Sequence, residues 1–398
     1  MSSEVLLTPQ IITKESLVML ENNLVAANRV NRKFENQFVK IGGSLTIRKP
    51  NRFTVRTGAA LQVQDIAEPS VTISVNLQRG ADWQFTSSDL TLTVEEFSDR
   101  YLKPAMATIA NRIDLDVLDM TTDISNYVGT PTVVPAAFSS SVMLTGRRMD
   151  DNACPQDSRT LVLNPESYWA IANGLAPSFV MPTAKEALVK GYLATIGNYE
   201  VYMDQNIPTQ LSAQHNTSIG MVITSATFTG TSTEMFGGTA TETIQQGEVF
   251  TVNGVFNVNP QSRQSTGVLK NFVVTASTTP TTSTWTVNFN PPMVTSGPYQ
   301  NVTGPMAVAT TVTWLTGTTN VQIPRPQNIA FTRDALGLVM VPMEIPQGVD
   351  FAARETWRNI SMRTIRAYDI NNDVFPTRID VLYGTAVYYD ELACRLGG

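Results

Sequence analysis

The sequence predicts an α+β fold carrying an inserted all-β domain, and three observations support that reading. Apolar residues recur at Leu102, Met106, Ile109, Ile113, Val117, Met120 and Ile124, steps of four and three that describe one helical face. Charge then falls away abruptly: Thr209 to Pro326, 118 residues, hold six charged side chains (Glu234, Glu242, Glu248, Arg263, Lys270, Arg325) and 27 Thr, against 56 charges in the other 280 residues. Both flanks share a charge-rich α+β composition, so the Thr-rich segment reads as an insertion into one domain rather than a bead on a string.

In chain order, Leu17, Leu20 and Leu24, with Val25 beside them, line one face of an amphipathic helix within residues 8–39. Residues 43–80 read as a two-stranded excursion: Leu45 and Ile47, Phe53 and Val55, then Val71, Ile73, Val75 and Leu77 alternate with polar neighbours, punctuated by Pro50, Gly58 and Pro69. An isolated hairpin is marginal in water and needs a supporting surface, another subunit being one candidate. Thr93 and Glu96 form a capping box, and Pro104, tolerated only in a first turn, starts a helix expected to run to Asn126, roughly 35 Å at about 1.5 Å per residue. After a linker marked by Gly129, Pro131 and Pro135, a strand at Thr160–Leu163 leads into a helix with Asn164 as N-cap and Pro165 first. Thr183 and Glu186 form a second capping box, and Tyr199–Met203 reads as a strand. Inside the Thr-rich segment, Val249–Val252, Phe272–Thr275 and Trp285–Phe289 are strand-like runs between Gly, Pro and Asn. Further strands are expected at Leu338–Pro342, Arg363–Asp369 and Arg378–Tyr383.

Size and composition narrow the function. At 398 residues the chain can bury a large core in two or three domains. A net charge of −6 argues against a dedicated nucleic-acid surface. Cys154 and Cys394 alone give no disulfide framework, which fits a reducing compartment. No apolar stretch reaches the roughly 18 residues of a membrane span, and MSSEVLLTPQ lacks the pattern of a secretory signal. Without secretion the sequons at Asn216 and Asn301 have no consequence. A Ser-His-Asp triad or a multi-histidine metal site would have to be built on His215, the sole histidine. Asp369, Asn371, Asp373 and Asp380 match four positions of a calcium loop, but Val374 replaces the turn glycine, Pro376 intrudes and the closing ligand is not Glu. No phosphate-cradling loop or nucleophile elbow occurs. The expectation is therefore a non-enzyme with no catalytic residues, metal or cofactor.

The order of parts and a set of short motifs point to a family. Arg100-Tyr-Leu-Lys-Pro-Ala-Met with Ala110-Asn-Arg-Ile-Asp, and Leu161-Val-Leu-Asn-Pro, are followed by Gly247-Glu-Val-Phe-Thr-Val and Val258-Asn-Pro-Gln-Ser-Arg-Gln-Ser-Thr-Gly267. Asn328-Ile-Ala-Phe-Thr-Arg-Asp-Ala335 and Phe375-Pro-Thr-Arg-Ile-Asp-Val-Leu-Tyr-Gly384 complete the series. Together these resemble the tailed-bacteriophage major capsid proteins of the HK97 fold, and within them the short-tailed-phage coat proteins that carry an insertion domain. The resemblance implies an N-terminal arm (1–40), an extended E-loop (41–80), a P-domain with its spine helix (81–135), a first part of the A-domain (136–208), an inserted β-rich domain (209–326) and a return through the A- and P-domains (327–398). It further implies pentamers and hexamers in an icosahedral shell, a scaffolding protein and a portal, double-stranded DNA enclosed without sequence-specific binding, no membrane, and a virion protein assembled in the host bacterial cytoplasm. The Thr-rich segment taken alone would also suit a β-rich phage adhesin or tail-fibre protein, which predicts elongated trimers.

Charge adds a mechanism. Arg29 to Arg56 holds eight basic residues against Glu35, and Thr93 to Tyr127 holds seven acids against three bases. The expected assembly contacts therefore set Arg48, Lys49, Arg52 and Arg56 of one subunit against Asp114, Asp116, Asp119 and Asp123 of the next, a salt-sensitive contact that fixes register.

Overall fold

The computed structural model describes residues 9–34, 43–64, 66, 68–86, 101–130, 133–135, 141–175, 195–211, 214–215, 221–225, 230–237, 243–279, 284–316, 318–319, 324–349, 351–358 and 360–397. The capping boxes Thr93–Glu96 and Thr183–Glu186 lie outside these. The chain divides into two compact units, one of Met1–Ile47, Ser70–Val117 and Gly337–Ala386, the other of Arg48–Pro69, Leu118–Leu336 and Val387–Gly398.

In the first unit, helix α1 (Pro9–Asn23) buries Leu17 and Leu20, with Leu24 buried just past its end. It lies on the strands Phe351–Trp357 and Ile360–Arg366, where the buried Thr13 hydroxyl donates to Thr364 Oγ1 at 3.1 Å. These strands belong to a five-stranded sheet whose long member, Val374–Val387, pairs with Ile360–Arg366 and also with Leu77–Thr86, in register from Val374 opposite Thr86 to Tyr383 opposite Leu77. Asp380 is completely buried in that long strand. Its carboxylate accepts from Arg363 Nη2 at 2.9 Å, Arg378 Nε at 2.7 Å and Gln78 Nε2 at 2.7 Å, so the acid at the last position of the calcium-like pattern is neutralised inside the sheet. Asp369 instead shapes the tight turn before Val374, accepting from Asn371 N at 3.0 Å and Asn372 Nδ2 at 2.7 Å.

The excursion at 43–80 is shorter than the alternation suggested. Ser44–Arg48 pairs with Ser70–Ser74, but residues 49–64 form no strand. Gly384 meets this region closely, because a Cβ there would collide with the carbonyl oxygen of Ser74.

Helix α2 (Lys103–Leu118) follows a wider π-type turn at Tyr101–Leu102 and holds Pro104 in its first turn. The whole predicted apolar face, from Leu102 to Ile124, is buried. The helix nevertheless ends earlier than expected. At Asp119–Asp123 it tightens into a 3-10 turn, and Ile124 is already extended. The local sequence explains this: Asp, Thr and Thr are poor helix interiors, and the Thr122 hydroxyl bonds back to Asp119 O at 2.9 Å.

In the second unit, a mixed seven-stranded sheet runs in the order Tyr127–Val128, Ala393–Gly397, Pro324–Thr332, Arg159–Leu163, Tyr199–Met203, Thr195–Ile196, with Thr209–Leu211 pairing the start of Pro324–Thr332. Helices α3 (Val142–Asp151) and α4 (Pro165–Leu175) contribute Val142, Met149, Tyr168 and Ile171 to one core with Leu161, Leu163, Tyr199 and Leu396. Asn164 caps α4 as predicted, its Oδ1 accepting from Ser167 N at 3.1 Å.

Within the Thr-rich segment, six strands close into a barrel: Met221–Ile223, Gly230–Phe236, Thr284–Met293, Ser265–Val274, Val249–Val258 and Thr311–Trp314, which returns to the first. Closure removes free sheet edges. The core is aromatic, with Phe250 5.6 Å from Phe272 and 5.3 Å from Trp314, and Phe272 5.0 Å from Phe289. Buried polar groups fasten this barrel to the mixed sheet. Lys270 Nζ donates to Asn257 Oδ1 at 3.1 Å, Asn257 Nδ2 to Asn152 Oδ1 at 3.0 Å, Asn152 Nδ2 to Asn126 Oδ1 at 3.2 Å, and Asn271 Nδ2 to Tyr127 O at 3.1 Å. Such a chain is directional, so it fixes one docking geometry where a greasy contact would admit several.

Candidate assembly surfaces

The acidic set on and after α2 divides in two. Asp114 is buried and accepts from the backbone N–H of Val25 at 2.7 Å and of Ala27 at 2.8 Å. Asp116 accepts from Arg79 Nε and Arg112 Nη2, each at 2.9 Å, and from Tyr383 Oη at 2.6 Å. These two carboxylates therefore hold their own unit together instead of standing on a free acidic edge, and burial with the Asp116 bond raises the Tyr383 phenol well above its ordinary value. Apart from Arg112, one helical turn before Asp116, the partners of Asp114 and Asp116 lie far away in sequence, so spacing alone could not show this. Asp119 and Asp123 are exposed.

The basic set has found partners within its own chain. Arg48 pairs with Glu68 at 2.9 Å, both substantially exposed, a contact worth about 0–1 kcal/mol. Arg56 Nη1 donates to Gly58 O at 2.7 Å and Ala60 O at 3.1 Å. Arg52 is ion-paired with Glu391, and Lys49 Nζ sits 4.8 Å from the centre of the Tyr389 ring. Burial lowers the Lys49 ammonium from its usual value, and Glu391 and Asp390 oppose that shift.

Beyond this base the loop is apolar and open. Exposure is 65% at Phe53, 97% at Val55, 84% at Leu61, 83% at Val63 and 70% at Ile66. Single exposed apolar residues are ordinary; five within fourteen positions form a run of the kind that marks an interaction surface. The loop's shape comes from a few side-chain bonds: Gln64 Oε1 accepts from Thr54 N at 2.8 Å, Gln64 Nε2 donates to Thr54 O at 2.6 Å, and Gly58, at φ +92°, makes the turn.

The residues that receive the loop base were not singled out from sequence. Tyr389, Asp390 and Glu391 form a short corner before the last strand. The carboxylate of the half-buried Asp390 accepts from Ser125 N at 2.7 Å and from the Ser125 hydroxyl. Burial pushes its carboxyl above the usual range, and the Ser125 bonds oppose that shift. An adjacent acidic pair in a mostly apolar terminal segment was the available signal. Among the described residues, no group of three or more His, Cys, Asp or Glu could hold a metal ion, and no helix is long and apolar enough to cross a membrane.

The family model described as P22 coat protein, gene protein 5, matches residues 1–396. The chain belongs to the P22 coat protein family. It is thus a phage coat protein, a major capsid protein that builds a virion shell. No curated protein matches the chain by sequence. Among solved structures, one from Mycobacterium phage Che8 is similar at TM-score 0.50 and 12% identity, covering 94% of this chain and 90% of that one. The capsid of cyanophage P-SCSP1u is similar at 0.44 and 9%, covering 92% and 84%, and the capsid of an empty GTA particle at 0.44 and 8%, covering 95% and 89%. At such identities the likeness speaks of fold, and the fold of this coat protein is the HK97-like α+β fold.

Proposed function

We propose that this coat protein assembles through pentamers and hexamers into an icosahedral shell enclosing double-stranded DNA, and that the exposed apolar loop is a principal contact between subunits. In this reading the shell is built in the host bacterial cytoplasm with a scaffolding protein and a portal, and the DNA is enclosed without sequence-specific binding. The arm, E-loop, P-domain and A-domain take the ranges given above, the barrel is the inserted domain, and the chain acts as a structural protein without catalysis. The observation that carries this reading is the run of five exposed apolar side chains between Phe53 and Ile66 on a chain of coat-protein family.

Magnitudes rank the contacts. Covering one large apolar side chain contributes about 1.5–3 kcal/mol, whereas a surface ion pair contributes about 0–1 kcal/mol. Apolar burial therefore drives association, and charge sets register. With Asp114 and Asp116 committed inside their own unit, the acidic face proposed for a neighbour reduces to Asp119 and Asp123, facing Arg48 and the rest of the basic loop. The double substitution Val55→Asp/Leu61→Asp tests the assignment. Closed particles, counted by sedimentation and electron microscopy, should fall at least tenfold while the circular-dichroism melt of the subunit stays in place. Particles at the unsubstituted yield would remove the loop from the assembly contact.

A further inference from the structure

The loop base touches not only the acidic corner but also the barrel. Tyr299 lies on the long connection between the barrel strands Thr284–Met293 and Thr311–Trp314. Its hydroxyl accepts from Arg52 N at 3.4 Å and donates to Asn51 Oδ1 at 3.3 Å. Arg263, on another barrel turn, donates to Gln300 O at 3.4 Å and feels the charges of both Arg52 and Glu391. The Tyr299 connection is itself held firmly: Asn301 Oδ1 accepts from Val294 N at 2.9 Å, Asn301 Nδ2 donates to Pro292 O at 2.7 Å, and Val302 bridges Asn257. Asn51 and Arg52 are thus gripped between a fixed barrel turn and the corner Tyr389–Glu391, and the exposed apolar stretch begins at the very next residue.

We propose that Tyr299 and Glu391 form a brace that aims the 53–66 loop before assembly, so that the barrel supplies a positioning residue for shell closure. A loop already held in its contact geometry loses less freedom on docking, and in a closed shell the same small angle is repeated at every subunit. Apolar contacts are non-directional, so something else must set the angle; the hydrogen bonds and the ion pair at the base are the directional contacts available. The brace acts through the loop and need not touch the neighbour.

This inference rests on the capsid reading, and the test separates the two. Tyr299→Phe removes only the hydroxyl and keeps the ring, Glu391→Gln removes only the charge, and Arg52→Glu/Glu391→Arg reverses the ion pair. Trypsin cleavage after Arg56 in the free, full-length subunit should speed up at least threefold in Tyr299→Phe and Glu391→Gln, with the thermal melt unmoved. Particles from those variants should spread in diameter, and the charge-reversed pair should bring both readouts back toward the starting protein. Unchanged cleavage in both single variants, or faster cleavage with particles of unaltered diameter, overturns the brace. Failure of the unsubstituted protein, expressed together with its scaffolding protein, to form closed particles overturns the proposed shell assembly instead, and cleavage of the free subunit still decides whether the loop is braced.

Discussion

At the scale of single residues, buried polar groups carry more of the organisation than the composition suggests. Asp114 illustrates it: one carboxylate takes two backbone donors from the chain just after α1, in a site closed to water. Hydrogen bonds to a charged acceptor contribute about 1.5–3 kcal/mol each, and deleting the acceptor leaves buried donors unpaired. Asp114→Ala should therefore lower the unfolding free energy by about 2–5 kcal/mol in urea titrations, and Asp114→Asn, which retains one acceptor oxygen, by less. The opposite order, or a loss below about 0.5 kcal/mol for Asp114→Ala, would mean that these donors are satisfied in another way. The residue type and its place on the helix are visible in the sequence. Its partners are not, because Val25 and Ala27 offer only backbone N–H groups and no side-chain pattern marks them.

At the scale of elements, legibility followed the strength of the local signal. The apolar face of α2, the Asn164 cap and the strand Tyr199–Met203 stand where periodicity and capping chemistry put them, since each depends on neighbours within a few residues. The early end of α2 was hidden because the apolar spacing continues through Met120 and Ile124 after the backbone has left the helix. The 43–80 excursion misled in a related way: alternation at Phe53 and Val55 reads as a strand, yet those side chains meet solvent and the chain there forms no strand. Gly384 is a contact of the same non-local kind. Gly384→Ala would push a methyl group into the Ser74 carbonyl, and overpacking against backbone costs about 1–3 kcal/mol or more. The melting temperature of Gly384→Ala should fall by several degrees; an unchanged melt would show that the Ser70–Ser74 strand yields freely.

At the scale of the whole molecule, composition announced a β domain and the structure closes it into a barrel with an aromatic core. Its attachment could not be read from sequence, because the fastening residues Asn126, Asn152, Asn257, Lys270 and Asn271 are scattered polar side chains that look like surface until they are seen buried. The same scattering concealed the brace: Asn51, Tyr299 and Glu391 lie far apart in sequence, and none belongs to a motif. What the sequence did carry at this scale was the order of parts and the short motifs along nearly the whole chain, which together indicated the capsid family. If this chain closes shells as proposed, the 53–66 loop is covered by a neighbouring subunit. Cryo-electron microscopy of the purified, assembled protein tests it most directly. Closed icosahedral particles are expected, with Val55, Leu61 and Val63 buried against an adjacent copy; elongated trimers, or shells in which those side chains still face solvent, would rule out the loop contact.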